Sequence, residues 1–295
     1  MNKDEQKIQV VTHTDLDGVV SYLVLCWLYG RKLEVLGTTP KKLEDDYDKL
    51  VASKTWDKIY FLDLDVSKIG EKIDNNNTVV LDHHKTNLYQ FKNAITKIYN
   101  ETSCAKLIYD TLFKAVGKEL TQAQKMLIAL ADDSDSCANK TPLSGQLNIV
   151  YHSMSNKFQS FVEDYYKGFV PFDKFKINTI NLYNKHCLEY INALTSFEGV
   201  VEFEGQKNVK VGAIFCDKFV TECCYWLLNV RNVDIAIAVM INQQRIAVRR
   251  HPNATNIDVS KFVQRIAGGG GHEAAAGGNL TEDFIEFTKM LKPFN

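Results

Sequence analysis

The sequence of 295 residues lacks an excess of either charge, since 35 Lys and Arg residues face 36 Asp and Glu residues and the formal net charge is -1. A protein that coats nucleic acid along its length needs many basic side chains in excess, so the composition argues against that mode of binding. Proline (5) and glycine (16) are also few, and 45% of the residues are hydrophobic. This composition excludes a disordered or collagen-like chain.

Long apolar runs and paired cysteine motifs are also missing. The longest apolar stretch begins at Val19, contains Ser21 and Tyr22, and is shorter than the roughly 20 residues that span a bilayer. The seven cysteines form no Cys-x-x-Cys pair, which favours buried thiols in a reducing compartment. The acidic first residues carry no apolar segment typical of a signal peptide. We therefore expect a cytoplasmic protein without a membrane segment.

The first part of the chain alternates short β-rich runs with helical patterns, as parallel βαβ units do. Apolar and β-branched runs predict strands at 8–12, 33–38, 58–62, 78–81 and 95–99. Apolar side chains spaced by three and four residues predict helices at 19–29, 41–52, 67–74, 103–116, 121–131 and 143–153. The pattern predicts an α/β domain with a parallel sheet over residues 1–171.

A helical pattern at 172–196 separates this domain from a second β-rich region, 197–295. The second region holds four β-rich runs, VVEFEG, KVGAIFC, DIAIAVMIN and RIAVRR, and helical patterns at 219–228, 258–267 and 282–291. A glycine run at 268–271 leads into small residues at 272–276, which we expect to start a short helix. The overall prediction is an α/β protein of two domains, the second smaller than the first, joined by a linker helix.

Acidic residues and histidines concentrate where three predicted strands end: His13, Asp15 and Asp17; Asp63; and Asp82, His83 and His84. An isolated Asp at a strand end is usually the N-cap of the next helix, a role that we assign to Asp65. Three such clusters would meet at one edge of a parallel sheet, however, because ligands bind outside the carboxyl ends of its strands. Converging carboxylates and imidazoles suit Mn²⁺ or Mg²⁺. The sequence therefore predicts a two-metal phosphoester hydrolase.

A fourth acidic group, formed by Asp132, Asp133 and Asp135, lies at the end of a predicted helix. The helix macrodipole disfavours negative charge at a C-terminus, so three carboxylates there favour a compensating cation over a merely solvated loop. The group therefore predicts at least one further metal ligand.

The glycine run near the end of the chain is the candidate substrate site. A lone glycine string is more often a flexible turn, but glycine also lets the backbone approach a phosphate closely. His272 follows the run directly, and Arg249 and Arg250 end the β-rich run RIAVRR. A guanidinium group can form two hydrogen bonds with a phosphate, so these basic neighbours favour substrate binding.

In chain order these motifs resemble those of the DHH phosphoesterase superfamily: His13-x-Asp15-x-Asp17-Gly18 with Ser21, Asp63, Asp82-His83-His84, Asp132-Asp133-Ser134-Asp135, and Gly269-Gly270-Gly271-His272 with Ala275 and Gly277. The last motif is similar to the signature of the DHH-associated C-terminal domain of RecJ-type nucleases and nanoRNases. The first motif is most similar to that of nanoRNase B. The motifs extend over nearly the whole chain.

The resemblance implies two Mn²⁺ ions, with Mg²⁺ as an alternative, on a set of His and Asp ligands: His13, Asp15, Asp17, Asp63, His83 and Asp133. Matching the fourth motif favours Asp133, and Asp135 is the alternative. The implied catalytic residues are Asp82, His83 and His84, of which Asp82 supports the histidines and His84 faces the substrate phosphate. The implied substrate-binding residues are His84, Arg249, Gly269, Gly270, Gly271 and His272.

The implied activity is that of a Mn²⁺-dependent exonuclease or phosphodiesterase that degrades short single-stranded oligonucleotides to mononucleotides by two-metal activation of water. The alternatives within enzymes are a phosphatase for a small nucleotide and a phosphodiesterase for a cyclic dinucleotide. An alternative of another class is an inactive nucleotide-binding regulator. A homodimer is a further expectation, and the near-zero net charge agrees with a short substrate.

Overall fold

Parallel strands and their connecting helices build the first of two units into which the chain divides, Met1–Ile180 and Asn181–Asn295. The computed structural model describes residues 6–84, 86–99, 101–135, 141–203 and 205–282. The helix predicted at 282–291 lies outside the described residues except for Glu282.

In the described part of the first unit, the strands are β1 (Ile8–His13), β2 (Glu34–Thr38), β3 (Lys58–Leu62), β4 (Thr78–Asp82) and β5 (Ile95–Ile98). They form one sheet in the order β2-β1-β3-β4-β5, and every neighbouring pair is parallel. Because β1, β3 and β4 are adjacent, their carboxyl ends bring His13, Asp63 and Asp82 to one edge of the sheet. The predicted α/β class with a parallel sheet is confirmed.

The helices of this unit are α1 (Leu16–Tyr29), α2 (Leu43–Ser53), α3 (Gly70–Ile73), α4 (Cys104–Ile108), α5 (Lys114–Val116), α6 (Gln122–Asp135), α7 (Pro142–Ser153) and α8 (Lys157–Tyr165). A 3₁₀ turn, Ser67–Ile69, precedes α3, and a π-helical turn, Tyr109–Phe113, joins α4 to α5. The pattern predicted as a helix at 103–116 is therefore helical, with a wider turn in its middle. Helix α6 extends four residues beyond its predicted end at 131.

Two hydrophobic cores cover the two faces of the parallel sheet. Successive residues of β1 point to opposite faces: Val10 packs in the core that contains α1, α4 and α6, and Val11 in the core that contains α2 and α3. Strands β1, β3 and β4 are buried on both faces and read as continuous apolar runs, which is why the sequence located these strands so closely.

Helix α9 (Lys174–Ala193) contains the point at which the two units divide. The described strands of the second unit are β6 (Ser196–Phe203), β7 (Gln206–Phe215), β8 (Ile235–Met240), β9 (Arg245–Arg250), β10 (Gly270–His272) and β11 (Ala275–Asn279), with helices α10 (Val220–Asn229) and α11 (Val259–Ala267). Their order is β10-β11-β9-β8-β7-β6; β7 and β8 pair in parallel, and the other pairs are antiparallel. Among the described helices, none is long and apolar enough to cross a membrane.

The prediction of a short helix at 272–276 is wrong, because this segment belongs to the hairpin of β10 and β11. His272 pairs with Ala275, and Ala275 also pairs with Arg249 of β9. Gly277 and Gly278, which follow directly, are poor helix formers, and the extended conformation gains a full set of strand partners. The small residues thus lie in the two strands at one end of the sheet, of which only β10 is an edge strand.

Candidate metal centre

The first motif lies where β1 ends at His13 and α1 begins at Leu16. Asp15 is the N-cap of α1: its Oδ1 accepts a hydrogen bond of 2.9 Å from the backbone N–H of Gly18. Its other oxygen, Oδ2, lies 2.7 Å from Nδ1 of His13. A Cβ atom at Gly18 would lie 2.2 Å from the His13 carbonyl oxygen, so only glycine allows this tight entry into the helix. Asp15 therefore both caps α1 and faces the histidine.

The buried carboxylate of Asp17 is held by the N-terminus of α4. The backbone N–H of Cys104 donates to Oδ2 at 2.7 Å, and that of Ala105 donates to Oδ1 at 3.1 Å. The N-terminus of α4 is itself tied to α6, since the Ser103 N–H donates to Oδ1 of Asp132 at 2.8 Å. Asp132 thus supports Asp17 through Ser103.

Asp63 lies at the middle of the site, directly after β3. Its φ of 56° is in a region that residues other than glycine rarely adopt, and its side chain is 2% exposed. Oδ1 lies 3.1 Å from Nε2 of His83, and Oδ2 lies 3.8 Å from Nδ1 of His13. Oδ2 is buried without a hydrogen-bond partner among the described residues. Asp65, in contrast, accepts a hydrogen bond from the Ser67 N–H at 2.9 Å, as a cap does.

Asp82 is fully buried and orients the residues that follow it. Its Oδ1 lies 2.8 Å from the backbone N of His83 and 2.7 Å from Nδ1 of His84, and its Oδ2 accepts a 2.8 Å hydrogen bond from Asn87. Burial raises the pKa of Asp82, but these hydrogen bonds, above all that with His84, outweigh it and hold the pKa below its usual range. In return, Asp82 raises the pKa of His84 against the effect of burial.

The acidic residues at the end of α6 have different partners. Oδ2 of Asp133 accepts hydrogen bonds from Ser144 Oγ at 2.6 Å and from the Thr141 N–H at 3.1 Å, which ties α6 to α7. Asp135 has its Oδ2 3.6 Å from Nδ1 of His83. The match to the fourth motif had favoured Asp133. The geometry instead favours Asp135 as the metal ligand. The cause is that α6 continues to Asp135, and each helical residue turns the side chain by about 100°.

Ligand atoms of the described residues come within 4.8 Å of one another in three overlapping groups: His13, Asp15 and Asp63; Asp17, His83 and Asp135; and Asp63, His83 and His84. Asp63 and His83 each belong to two of these groups, which joins them into one centre. The predicted ligands His13, Asp15, Asp17, Asp63 and His83 all lie in it.

The carboxylates of this centre require a compensating positive charge. Burial raises the pKa of Asp17 and of Asp63 well above its usual range, and the charges of Asp15 and Asp135 raise both further. Asp15 differs because, despite its burial, the hydrogen bond with His13 lowers its pKa to about 2. A divalent cation would neutralise this charge, and oxygen and imidazole donors suit Mn²⁺ or Mg²⁺. The unpartnered Oδ2 of Asp63 fits such an ion.

Helix α7 supplies residues that the sequence analysis did not identify. The Tyr151 hydroxyl donates a hydrogen bond of 2.8 Å to the carbonyl oxygen of Thr14. Asn148 and His152 line a cavity of about 200 Å³, whose other lining residues include Asp15, Asp17 and Asp135. The periodicity of α7 indicated only its buried face, and no motif marks a contact between such distant segments.

In the second unit, the predicted substrate residues Arg249 and His272 lie on two strands that flank Ala275 of β11. The Arg249 guanidinium donates to Thr221 Oγ1 at 3.2 Å and lies 5.4 Å from the centre of the Tyr225 ring. The strand register thus places the two predicted basic residues on the same face of the sheet, with Ala275 of β11 between them.

The three glycines of the last motif have different surroundings. A Cβ atom at Gly269 would lie 2.1 Å from the Gly277 carbonyl oxygen. At Gly271, where φ is 150°, a Cβ atom would lie 2.5 Å from the Ala275 carbonyl oxygen. A Cβ atom at Gly270 would meet nothing within 4 Å. The packing of the hairpin therefore requires Gly269 and Gly271, and only Gly270 leaves open space in which a ligand could lie.

The parallel sheet and the His/Asp centre at its carboxyl edge are those of a metal-dependent phosphoesterase. Residues 7–132 match the DHH family, N-terminal domain, and residues 201–294 match the DHHA1 domain. The two matches follow each other in order and together cover most of the chain. The chain belongs to the DHH family of phosphoesterases.

Several solved structures share this fold over almost the whole chain. The pGpG-specific phosphodiesterase PggH from Vibrio cholerae has a TM-score of 0.56 at 15% identity, over 96% of this chain and 97% of its own. Exonuclease RecJ bound to manganese has a TM-score of 0.53 at 12% identity, over 98% of this chain and 89% of its own. RecJ from Thermus thermophilus in complex with Mn²⁺ has a TM-score of 0.60 at 11% identity, over 98% of this chain and 51% of its own. No significant match was found among curated protein sequences.

Proposed function

We propose that the chain is a Mn²⁺-dependent phosphodiesterase that degrades short single-stranded oligonucleotides to mononucleotides. The observation that carries this proposal is the position of Asp63, a buried carboxylate shared by two of the three groups of candidate ligands. Two ions would be held by His13, Asp15, Asp17, Asp63, His83 and Asp135. When bound, they would lower the pKa of a coordinated water and neutralise charge on a phosphoryl oxygen.

Asp82 and His84 would orient the substrate phosphate. Asp82, whose pKa is held low, accepts the proton of His84 Nδ1 in a hydrogen bond and thereby fixes the ring. The other ring nitrogen of His84 is then available to the substrate, and the hydrogen bond with Asp82 favours the protonated ring, which donates to a phosphate oxygen. His84 is therefore proposed as the phosphate-facing residue.

A cavity beside three of the candidate ligands and the similarity to known nucleotide-processing enzymes support a nucleotide substrate. The cavity beside Asp15, Asp17 and Asp135 has a volume of about 200 Å³. The similarity to a pGpG-specific phosphodiesterase and to an exonuclease supports a nucleotide substrate, and pGpG is itself a dinucleotide.

The second unit is proposed to bind the nucleotide through Arg249, His272 and the open side of Gly270. A guanidinium group and an imidazole on the same face of the sheet, with only β11 between their strands, can both donate hydrogen bonds to one phosphate. Replacing Arg249 or His272 with Ala should raise KM for short oligonucleotides and leave Mn²⁺ affinity unchanged.

The test is a product analysis with Mn²⁺ on dinucleotides including pGpG, short RNA and DNA, cyclic dinucleotides, 3'-phosphoadenosine 5'-phosphate and pyrophosphate. We expect mononucleotides from the linear substrates. The variant Asp63→Asn should be inactive, and Asp65→Asn, which changes a nearby cap, should retain activity. Hydrolysis confined to the cyclic or the monoester substrates would overturn the proposed substrate class. Nucleotide binding without any hydrolysis would support a regulator.

A further inference from the structure

One face of α7 borders the metal centre and has no role in the mechanism above. Asn148 and His152 are four residues apart in the helix, so their side chains lie on the same face. Both line the cavity of about 200 Å³ that Asp15, Asp17 and Asp135 also line. A polar amide and an imidazole therefore share a small cavity with three of the candidate metal ligands.

The position of this face is fixed by hydrogen bonds at both ends of α7. At the start of the helix, Ser144 Oγ donates to Asp133 of α6 at 2.6 Å. In its last turn, the hydroxyl of Tyr151 donates to the Thr14 carbonyl oxygen at 2.8 Å. Asp133 is two residues before Asp135, and Thr14 lies next to Asp15. Helix α7 is thus tied to two segments that carry ligands, which holds Asn148 and His152 in place relative to the centre.

The chemistry of the cavity indicates what these two side chains would meet. Carboxylates repel a phosphate, so a phosphate enters the centre only where cations and hydrogen-bond donors complement its oxygens. Asn carries two N–H donors and neutral His carries one. On the basis of the proposed phosphodiesterase function, we propose that Asn148 and His152 donate hydrogen bonds to non-bridging oxygens of the scissile phosphate. They are substrate-binding residues of the first unit.

Steady-state kinetics on the linear substrates test this role. Asn148→Ala and His152→Ala should each lower kcat/KM about 10- to 100-fold, the effect of losing a hydrogen bond to a charged group. His152→Gln keeps an N–H donor and should recover part of the loss. The matched control is Ser153→Ala in the same turn of α7, where the hydroxyl donates to the Val150 carbonyl oxygen of its own helix. This control should have the kinetics of the unsubstituted protein.

A binding measurement provides a second readout that does not depend on turnover. Titration of Mn²⁺ into each variant should give the affinity of the unsubstituted protein, because neither residue is proposed to bind the ion. Titration of inorganic phosphate or AMP into the Mn²⁺-loaded protein should show binding that is about 10-fold weaker in His152→Ala and in Asn148→Ala. Ser153→Ala should bind both probes normally.

Two results would overturn the inference. Phosphate binding and kcat/KM equal to those of Ser153→Ala in both alanine variants would place the phosphate elsewhere. A loss of Mn²⁺ affinity that accounts for the whole loss of activity would make the residues part of the metal site. If the unsubstituted protein hydrolysed none of the nucleotides, the proposed function would be contradicted, and the phosphate titrations would still decide the role of Asn148 and His152.

Discussion

The hydroxyl of Tyr151 donates a hydrogen bond of 2.8 Å to the carbonyl oxygen of Thr14, 137 positions earlier in the chain. The Tyr151 side chain is buried, and Thr14 lies between His13 and Asp15. Burial removes competition from water, so the bond holds the loop between β1 and α1 in one conformation. Two candidate ligands thus depend on a residue of α7 for their geometry.

Replacing Tyr151 with Phe should therefore weaken the metal centre and lower the free energy of unfolding by about 1 to 2 kcal/mol, because the Thr14 carbonyl loses its donor. Urea unfolding and Mn²⁺ titration measure the two effects. The matched control is Tyr165→Phe, since the hydroxyl of Tyr165 is buried without a partner among the described residues. That change should leave stability equal or higher. Equal stability of Tyr151→Phe and the unsubstituted protein would show that the bond contributes nothing.

The different contacts of Asp133 and Asp135 predict opposite effects of substitution. Asp135→Asn should weaken Mn²⁺ binding at least about 10-fold with little change in stability. Asp133→Ala should lower the free energy of unfolding by about 1 to 2 kcal/mol, because it removes the acceptor of Ser144 and Thr141, and should keep most of the Mn²⁺ affinity. Calorimetric Mn²⁺ titrations and urea unfolding of both variants check this. The reverse pattern would restore Asp133 as the ligand.

The three glycines of the last motif should respond differently to alanine. Gly269→Ala and Gly271→Ala should destabilise the second unit, because each new methyl group would contact backbone of the hairpin at less than 3 Å. Gly270→Ala should leave thermal unfolding nearly unchanged and should raise KM for the oligonucleotide, since its methyl group would occupy open space proposed for the substrate. Thermal unfolding and kinetics separate these outcomes. An unchanged KM in a folded Gly270→Ala protein would move the substrate away from this glycine.

Asp258, the N-cap of α11, gives the stability a defined dependence on pH. Its Oδ1 accepts hydrogen bonds from the N–H and the hydroxyl of Ser260 at 3.0 and 2.5 Å. Burial raises the pKa of Asp258, but these bonds outweigh it and lower the pKa. Since the pKa is lower in the folded state, the carboxylate stabilises the fold above about pH 4, and this stabilisation is lost as the pH falls through the folded-state pKa.

The variant Asp258→Asn keeps an acceptor for the cap and cannot titrate. Its loss of unfolding free energy between about pH 7 and about pH 3 should be smaller than that of the unsubstituted protein, by a few tenths of a kcal/mol to about 1 kcal/mol. Urea unfolding at the two pH values measures this difference. Equal losses in both proteins would show that Asp258 has the same pKa in the folded and unfolded chain.

The sequence predicted the parts of the site that depend on local order along the chain. His13, Asp63 and Asp82 each follow an apolar run, and such runs become adjacent parallel strands because both faces of the sheet are buried. Their convergence at one sheet edge then follows from topology. The hydrogen bond between Asp65 and the Ser67 N–H was also predictable in kind, because it depends on a residue only two positions away.

The contacts that the sequence did not predict depend on where helices end and how they pack. Whether Asp133 or Asp135 faces His83 is decided by the continuation of α6 beyond residue 131, which apolar spacing did not indicate. The contact of Tyr151 with Thr14 joins two elements distant in sequence. At 272–276, pairing with β9 overrides the helical preference of the three alanines, because the energy of strand pairing is a property of the whole sheet.

Asp63 has a consequence for any effort to engineer this protein. With φ at 56° and a carboxylate buried among other acids, it is a residue whose replacement with glycine would relieve both backbone strain and charge repulsion in the metal-free chain. Directed evolution that selects only for heat resistance in the absence of divalent ions would therefore favour variants without this aspartate. Activity has to be part of the selection from the first round.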